Sequence, residues 1–150
     1  MYACALTGHR KLGKDFDRAA VKDVLKRLIE KENFSVFYCG MALGFDTVCF
    51  QLLQELKAEG YALRVVACIP FEGQADRFSS ENREIYEKML EQCDQKYVLS
   101  PAYTKYCMFV RNRFMVDRSD AVLAYLRFRP SGTAYTVDYA EKKGKPVYKL

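Results

Sequence analysis

The sequence holds a single histidine, His9, and no Cys-x-x-Cys pair. Zinc-ligand spacing is therefore absent, although six cysteines stand at 4, 39, 49, 68, 93 and 107. Several lie inside apolar runs such as Val36–Cys39 and Val65–Ile69, the setting of buried free thiols in a reducing compartment. No apolar stretch approaches the roughly 18 residues that cross a bilayer, so no membrane partner is expected. The N-terminal run Met1–Thr7 has no basic region before it and does not read as a secretory signal, so a cytoplasmic location is expected. There is no basic arm, no RNA-binding aromatic motif, no internal repeat and no low-complexity tract. Nucleic acid is accordingly not expected as a partner. Nothing in the sequence calls for a resident metal or cofactor.

What is present is an ordinary globular composition: 150 residues, 50% hydrophobic and 29% charged. That length is too short for a substrate domain beside a separate cofactor domain, and long enough to bury a core without a disulfide or metal staple. No break in composition divides it, so residues 1–150 read as one domain. The net charge of +5 is a mild excess that suits an anionic small ligand without demanding one. The basic residues are spread out, apart from a modest cluster at Lys142, Lys143 and Lys145.

Short β-forming apolar runs fall at Tyr2–Leu6, Phe34–Cys39, Leu63–Ile69, Tyr97–Leu99, Ala121–Tyr125 and Val147–Leu150. Their continuous apolar character fits strands covered on both faces. Helical patterns lie between them. The first opens at Asp15 or Asp17 and runs to about Glu32. The second carries Phe45, Cys49, Leu52, Leu53 and Leu56 on one stripe and stops at Gly60. Others run from Ser79 to about Cys93, from about Tyr106 to Arg118, and from Ser131–Thr133 to Gly144-Lys145-Pro146. Strand–helix alternation repeated five times predicts an α/β fold: a Rossmann-like, mostly parallel sheet of about six strands with helices on both faces.

In such a sheet, ligands bind at the carboxyl ends of the strands, near a switch in strand order. The segments after those ends hold most of the unusual residues. Thr7, Gly8, His9 and Arg10 follow strand 1. Gly40, Gly44 and Asp46 follow strand 2, and Pro70, Phe71 and Gln74 follow strand 3. Ser131, Gly132 and Thr133 follow strand 5. Gly40 and Gly44 bracket a strand-to-helix turn where backbone N–H groups and a helix dipole can meet an anion. Ser131-Gly132-Thr133 makes a second such turn and adds two hydroxyls. With Arg10 and Arg111 in reach, two such turns at one rim would hold a phosphate or pyrophosphate. Each signal has a plain structural alternative. A turn glycine permits positive φ. A lone histidine is commonly a surface or capping residue. Arg111 and Asn112 can lie on a solvated helix face, Asp46 can serve only the helix dipole, and Asp120 can end a turn. Phe109, Phe114, Leu126 and Phe128 are spare apolar residues that admit a homodimer or, equally, a core role.

The ordered set Thr7-Gly8-His9-Arg10, Gly40-x3-Gly44-x-Asp46, Ile69-Pro70-Phe71-x-x-Gln74, Arg111-Asn112-x-x-Met115-Val116-Asp117-x-Ser119-Asp120 and Ser131-Gly132-Thr133-x-x-Thr136 spans nearly the whole chain. It resembles the SLOG superfamily of Rossmann-like domains, and most closely its YpsA/YoqJ-like branch. That resemblance implies binding of a nucleotide or a nucleotide-derived, ADP-ribose-like ligand, as a sensor or binding module. The superfamily also includes phosphoribohydrolases that split nucleoside monophosphates. Arg111-Asn112 resembles their Arg-Lys pair with the lysine lost. Thr136 stands where their catalytic glutamate would be, and a threonine supplies no carboxylate. Asp138 lies two residues on, toward a different helix face. Only Gly132 remains of their paired glycines. The segment Tyr139–Val147 is similar to the tail of nucleoside deoxyribosyltransferases, and also reads simply as a helix stop before a last strand. An enzyme acting on an N-glycosidic bond would here need Glu72, Asp46 or Asp120 as its carboxylate. A DNA-processing member of the superfamily marks a third direction. Binding of a nucleotide-like ligand is the expected function, with catalysis left open.

Overall fold

The computed structural model describes residues 2–150; Met1, the first residue of the N-terminal run, lies outside the described residues. Six strands form one sheet: β1 (Tyr2–Gly8), β2 (Phe34–Cys39), β3 (Arg64–Ile69), β4 (Gln95–Val98), β5 (Ala121–Tyr125) and β6 (Val147–Lys149). The helices between them are α1 (Arg18–Glu32), α2 (Phe45–Ala58), α3 (Ser80–Gln92), α4 (Cys107–Asp117) and α5 (Gly132–Lys142). All neighbouring strands are parallel, in the order β4-β3-β2-β1-β5-β6. The expected Rossmann-like α/β architecture is what the chain adopts.

Alternation along each strand divides the interior into two apolar layers. Cys4 and Leu6 of β1, Val65 and Ala67 of β3, and Leu123 and Tyr125 of β5 face a core shared with α1, α2 and α3. Ala5, Cys68, Val122 and Ala124 face the other side, where Met115 and Val116 of α4 pack with Val137 and Ala140 of α5. Both faces of the central strands are thus dry, which is why those segments read as unbroken apolar runs.

Helix ends follow local chemistry. Asp17 caps α1, its Oδ1 accepting from the Ala20 N–H at 3.2 Å, so Asp17 and not Asp15 is the opening residue. Asn33 closes α1 at φ 62°. Ser79 and Ser131 cap α3 and α5 in the same way as Asp17. The one strand displaced from its expected place is β4, found at Gln95–Val98 and not Tyr97–Leu99. It is an edge strand with mostly exposed side chains, so its sequence, Gln-Lys-Tyr-Val, lacks the apolar continuity that marks the inner strands.

Candidate functional site

The chain steps outward from β1 through β2 and β3 to β4, then α4 carries it back to β5 on the other side of β1. At that reversal the two helix layers part. A cleft of about 450 Å³ opens there, at the carboxyl end of β1. Its walls are the end of β1 and the following loop (Thr7 to Lys11), Ala42 and Asp46 at the start of α2, Met108, Arg111, Asn112 and Met115 of α4, and Phe128 with Ser131 to Thr133 at the start of α5.

Its floor is ionic. Arg111 is 6% exposed. Its Nη1 donates to the Gly40 carbonyl at 2.5 Å and to the Cys68 carbonyl at 3.3 Å, and its Nε donates to Asn112 Oδ1 at 2.8 Å. Among the described residues Nη2 has only the Met108 sulfur, at 4.0 Å. Among the described residues Arg111 makes no ion pair. Burial lowers its pKa, and the nearby Asp46 works against that shift. Asp46 is buried too. Burial pushes its carboxyl up to about 6, opposed by the Arg111 charge, the Ala42 N–H at 3.1 Å and Arg10. Gly40 leaves room for both side chains: a Cβ there would lie 2.8 Å from Arg111 Nη1 and 2.9 Å from Asp46 Oδ2.

The loop after β1 is fixed by a second network. His9 is buried, and its Nε2 accepts the Arg127 N–H at 2.8 Å, which puts the imidazole proton on Nδ1. Burial and the Arg127 charge both lower its pKa, favouring the neutral ring. Arg127 also donates to Asp15 Oδ2 at 2.6 Å and to the Leu150 carbonyl at 2.7 Å. The Tyr125 hydroxyl donates to Asp15 at 3.0 Å and accepts the Gly13 N–H at 3.0 Å.

The start of α5 is the open end. Ser131 Oγ accepts from the Ala134 N–H and donates to the Phe128 carbonyl, both at 3.0 Å. The Gly132 and Thr133 N–H groups have no acceptor among the described residues. A Cβ on Gly132 would meet nothing within 4 Å. Free donors, helix dipole and open space coincide there.

Eleven of the residues singled out from the sequence line this cleft together: Thr7, Gly8, His9, Arg10, Asp46, Gln74, Arg111, Asn112, Ser131, Gly132 and Thr133. Five do not. Gly40 lies behind Arg111. Gly44, at φ 80°, has no room for a Cβ, which would collide with the carbonyls of Arg10 and His9. The Phe45 N–H beside it already donates to the His9 carbonyl. Pro70 is buried, and Phe71 packs edge-on against Tyr103 at 5.4 Å. Thr136 is fully buried and donates to the Gly132 carbonyl at 2.9 Å. Gln74 reaches the cleft but spends its amide inside the protein, donating to the Gly40 carbonyl and accepting from Tyr86, both at 3.0 Å.

Of the three carboxylates considered for catalysis, only Asp46 belongs to the cleft. Glu72 lines a separate hollow between the β3–α3 loop and β4, and Asp120 accepts the Ala3 N–H at the opposite end of the sheet. Asp138 pairs with Arg129 on the surface. Lys11, Met108 and Phe128 line the cleft although the sequence does not single them out as ligand residues, and Met115 of the ordered motif set joins them. Phe128 is one of the spare apolar residues of the sequence. The others of that group are packed: Phe109 lies 4.3 Å from Tyr135, Phe114 lies 5.1 Å from Tyr97, and Leu126 borders the α4–α5 core. None of the described helices is long and apolar enough to cross a membrane.

Compared with known proteins, residues 13–149 match the YspA SLOG family (YpsA). The uncharacterized SPbeta prophage-derived protein YoqJ of Bacillus subtilis (strain 168) is 30% identical over 131 residues, which is 79% of this chain and 77% of that protein. DNA processing protein A (DprA) of Streptococcus pneumoniae superposes with a TM-score of 0.73 at 21% identity, over 99% of this chain and 50% of its own. DNA processing protein A of Helicobacter pylori, described for a single-stranded DNA binding mode, gives 0.69 at 19% identity, over 99% of this chain and 65% of its own. The chain therefore spans half to two-thirds of those two proteins, and at such identity the likeness speaks for the fold.

Proposed function

Because this chain belongs to the YspA SLOG family, we propose that its cleft binds a phosphate-bearing ligand of nucleotide type, the phosphate lying between the start of α5 and Arg111. One observation carries the reading. A buried guanidinium needs an anionic partner in contact, and among the described residues Arg111 makes no ion pair: its hydrogen bonds go to carbonyls, an amide and a sulfur, with the Asp46 carboxyl nearby but outside pairing distance. The two free N–H groups of α5 open onto the same space. Sensing or carrying such a ligand is the function favoured. Cleavage of its N-glycosidic bond is less supported, since Thr136 is buried and Asp46 is the one acid among the described residues that line the cleft.

Gly132→Asp tests the site. An aspartate at the first position of α5 suits the helix dipole, so the melting temperature should hold or rise slightly. Its charge should weaken binding of ribose 5-phosphate and adenosine 5′-monophosphate at least about tenfold in calorimetric titration. Unchanged binding would put the phosphate elsewhere. Release of free base from the nucleotide, lost in Asp46→Asn, would establish the enzymatic alternative. A labelled oligothymidylate in the same titrations addresses a second reading, a stacking platform for a single strand. That reading is favoured by Tyr103 and Tyr106, both more than half exposed, with Lys105 lying 5.3 Å over the Tyr106 ring.

A further inference from the structure

The β5–α5 connection carries an aromatic side chain that packing does not account for. Phe128 is 56% exposed, yet its ring lies flat on His9, with centroids 4.0 Å apart and planes 11° from parallel. His9 cannot follow it outward. Its Nε2 is held by the Arg127 N–H, and Tyr125 meets its ring edge-on at 6.0 Å. Phe128 therefore rests on a fixed support and lines the cleft that also contains Arg111 and Gly132. The cleft offers two kinds of contact: cationic groups and free N–H donors, and beside them the flat apolar ring of Phe128. A phosphorylated sugar alone satisfies only the first. A flat, polarizable ring attached to that sugar satisfies both, because stacking onto an aromatic face removes apolar surface from water at little conformational cost.

We infer that the Phe128–His9 stack is the seat for the nucleobase of the ligand, so that the cleft recognises a complete nucleotide and not a sugar phosphate. The inference rests on the phosphate-binding reading given above. Phe128 carries no polar group, so the seat selects for the presence of a base and, through greater overlap, for purines over pyrimidines.

The sequence contains no tryptophan, so Phe128→Trp introduces the protein's sole indole, at the seat itself. Its fluorescence should be quenched by adenosine 5′-monophosphate and left unchanged by saturating ribose 5-phosphate. In calorimetric titration the wild type should bind the nucleotide about five- to a hundredfold more tightly than ribose 5-phosphate. Phe128→Ala should remove that preference while changing ribose 5-phosphate affinity less than about twofold, and should lower the melting temperature by no more than about 4 °C, since Phe128 is more than half exposed. If the wild type binds both ligands equally, or if Phe128→Ala keeps the full preference, the seat is overturned while the phosphate site stands. If neither ligand binds the wild type, the phosphate site falls and the seat with it.

Discussion

Asp46 and Arg111 share the floor of the cleft, and burial works against the charge of each. For Asp46 the direction has a consequence for binding. Burial pushes its carboxyl up to about 6 from an ordinary 3.8, so the native state favours the protonated form. Its contribution to stability is complete below 3.8 and lost as pH rises through about 6. An anionic guest adds a like charge and raises that pKa further, so binding takes up a proton and strengthens as pH falls through about 6. The guest's own second phosphate ionisation, near pH 6, is common to wild type and variant. Asp46→Asn should therefore bind ribose 5-phosphate more tightly than wild type at about pH 7.5, the two affinities converging at about pH 5.5. Parallel profiles in calorimetric titration would place Asp46 away from the bound charge. His9 has the opposite sign: its lowered pKa gives a contribution to stability present above 6.5 and lost as pH falls below it.

The starts of α2 and α5 look alike in the sequence, each a glycine-bearing turn after an apolar strand, yet they are built differently. A glycine in a sequence announces a missing side chain and says nothing of what takes the room. At Gly132 the room is open. At Gly44 it is filled by the backbone of the β1–α1 loop, and the left-handed φ of 80° is closed to ordinary residues. Gly44→Ala should cost about 2–3 kcal/mol, lowering the melting temperature by roughly 4–12 °C. Gly132→Ala should stay within about 0.5 kcal/mol in urea denaturation. Equal effects would mean that the two turns are equivalent after all. The same reasoning explains Phe128. An exposed aromatic in a loop reads as surplus until its ring is seen lying on His9, a contact set by the pairing of β1 with β5 and invisible to any local pattern.

The six strands were legible because most are covered on both faces and so are continuously apolar. The polar edge strand β4 was the one misplaced, since an edge strand carries no such mark. The rim on which the candidate cleft lies is legible, because a parallel sheet gathers every β–α loop at one end. Which loops meet there depends on strand order, and that brought in the start of α5 while leaving Phe71 outside. The same layering predicts thiol behaviour for the whole molecule. Burial pushes Cys4 and Cys68 up to about 12 and raises Cys39 and Cys49 well above their ordinary value, while Cys107 is also buried. Cys93 alone is partly exposed. A maleimide should thus modify Cys93 first under native conditions and all six thiols in denaturant, as counted by mass spectrometry; rapid native labelling of several would contradict the layered packing. The strand order carries a last mechanical consequence. Because the cleft forms where the two helix layers diverge, a guest would touch α2 on one side and both α4 and α5 on the other. It would act as a keystone, adding a second tie across the gap that Arg111 already spans from α4 to the Gly40 carbonyl.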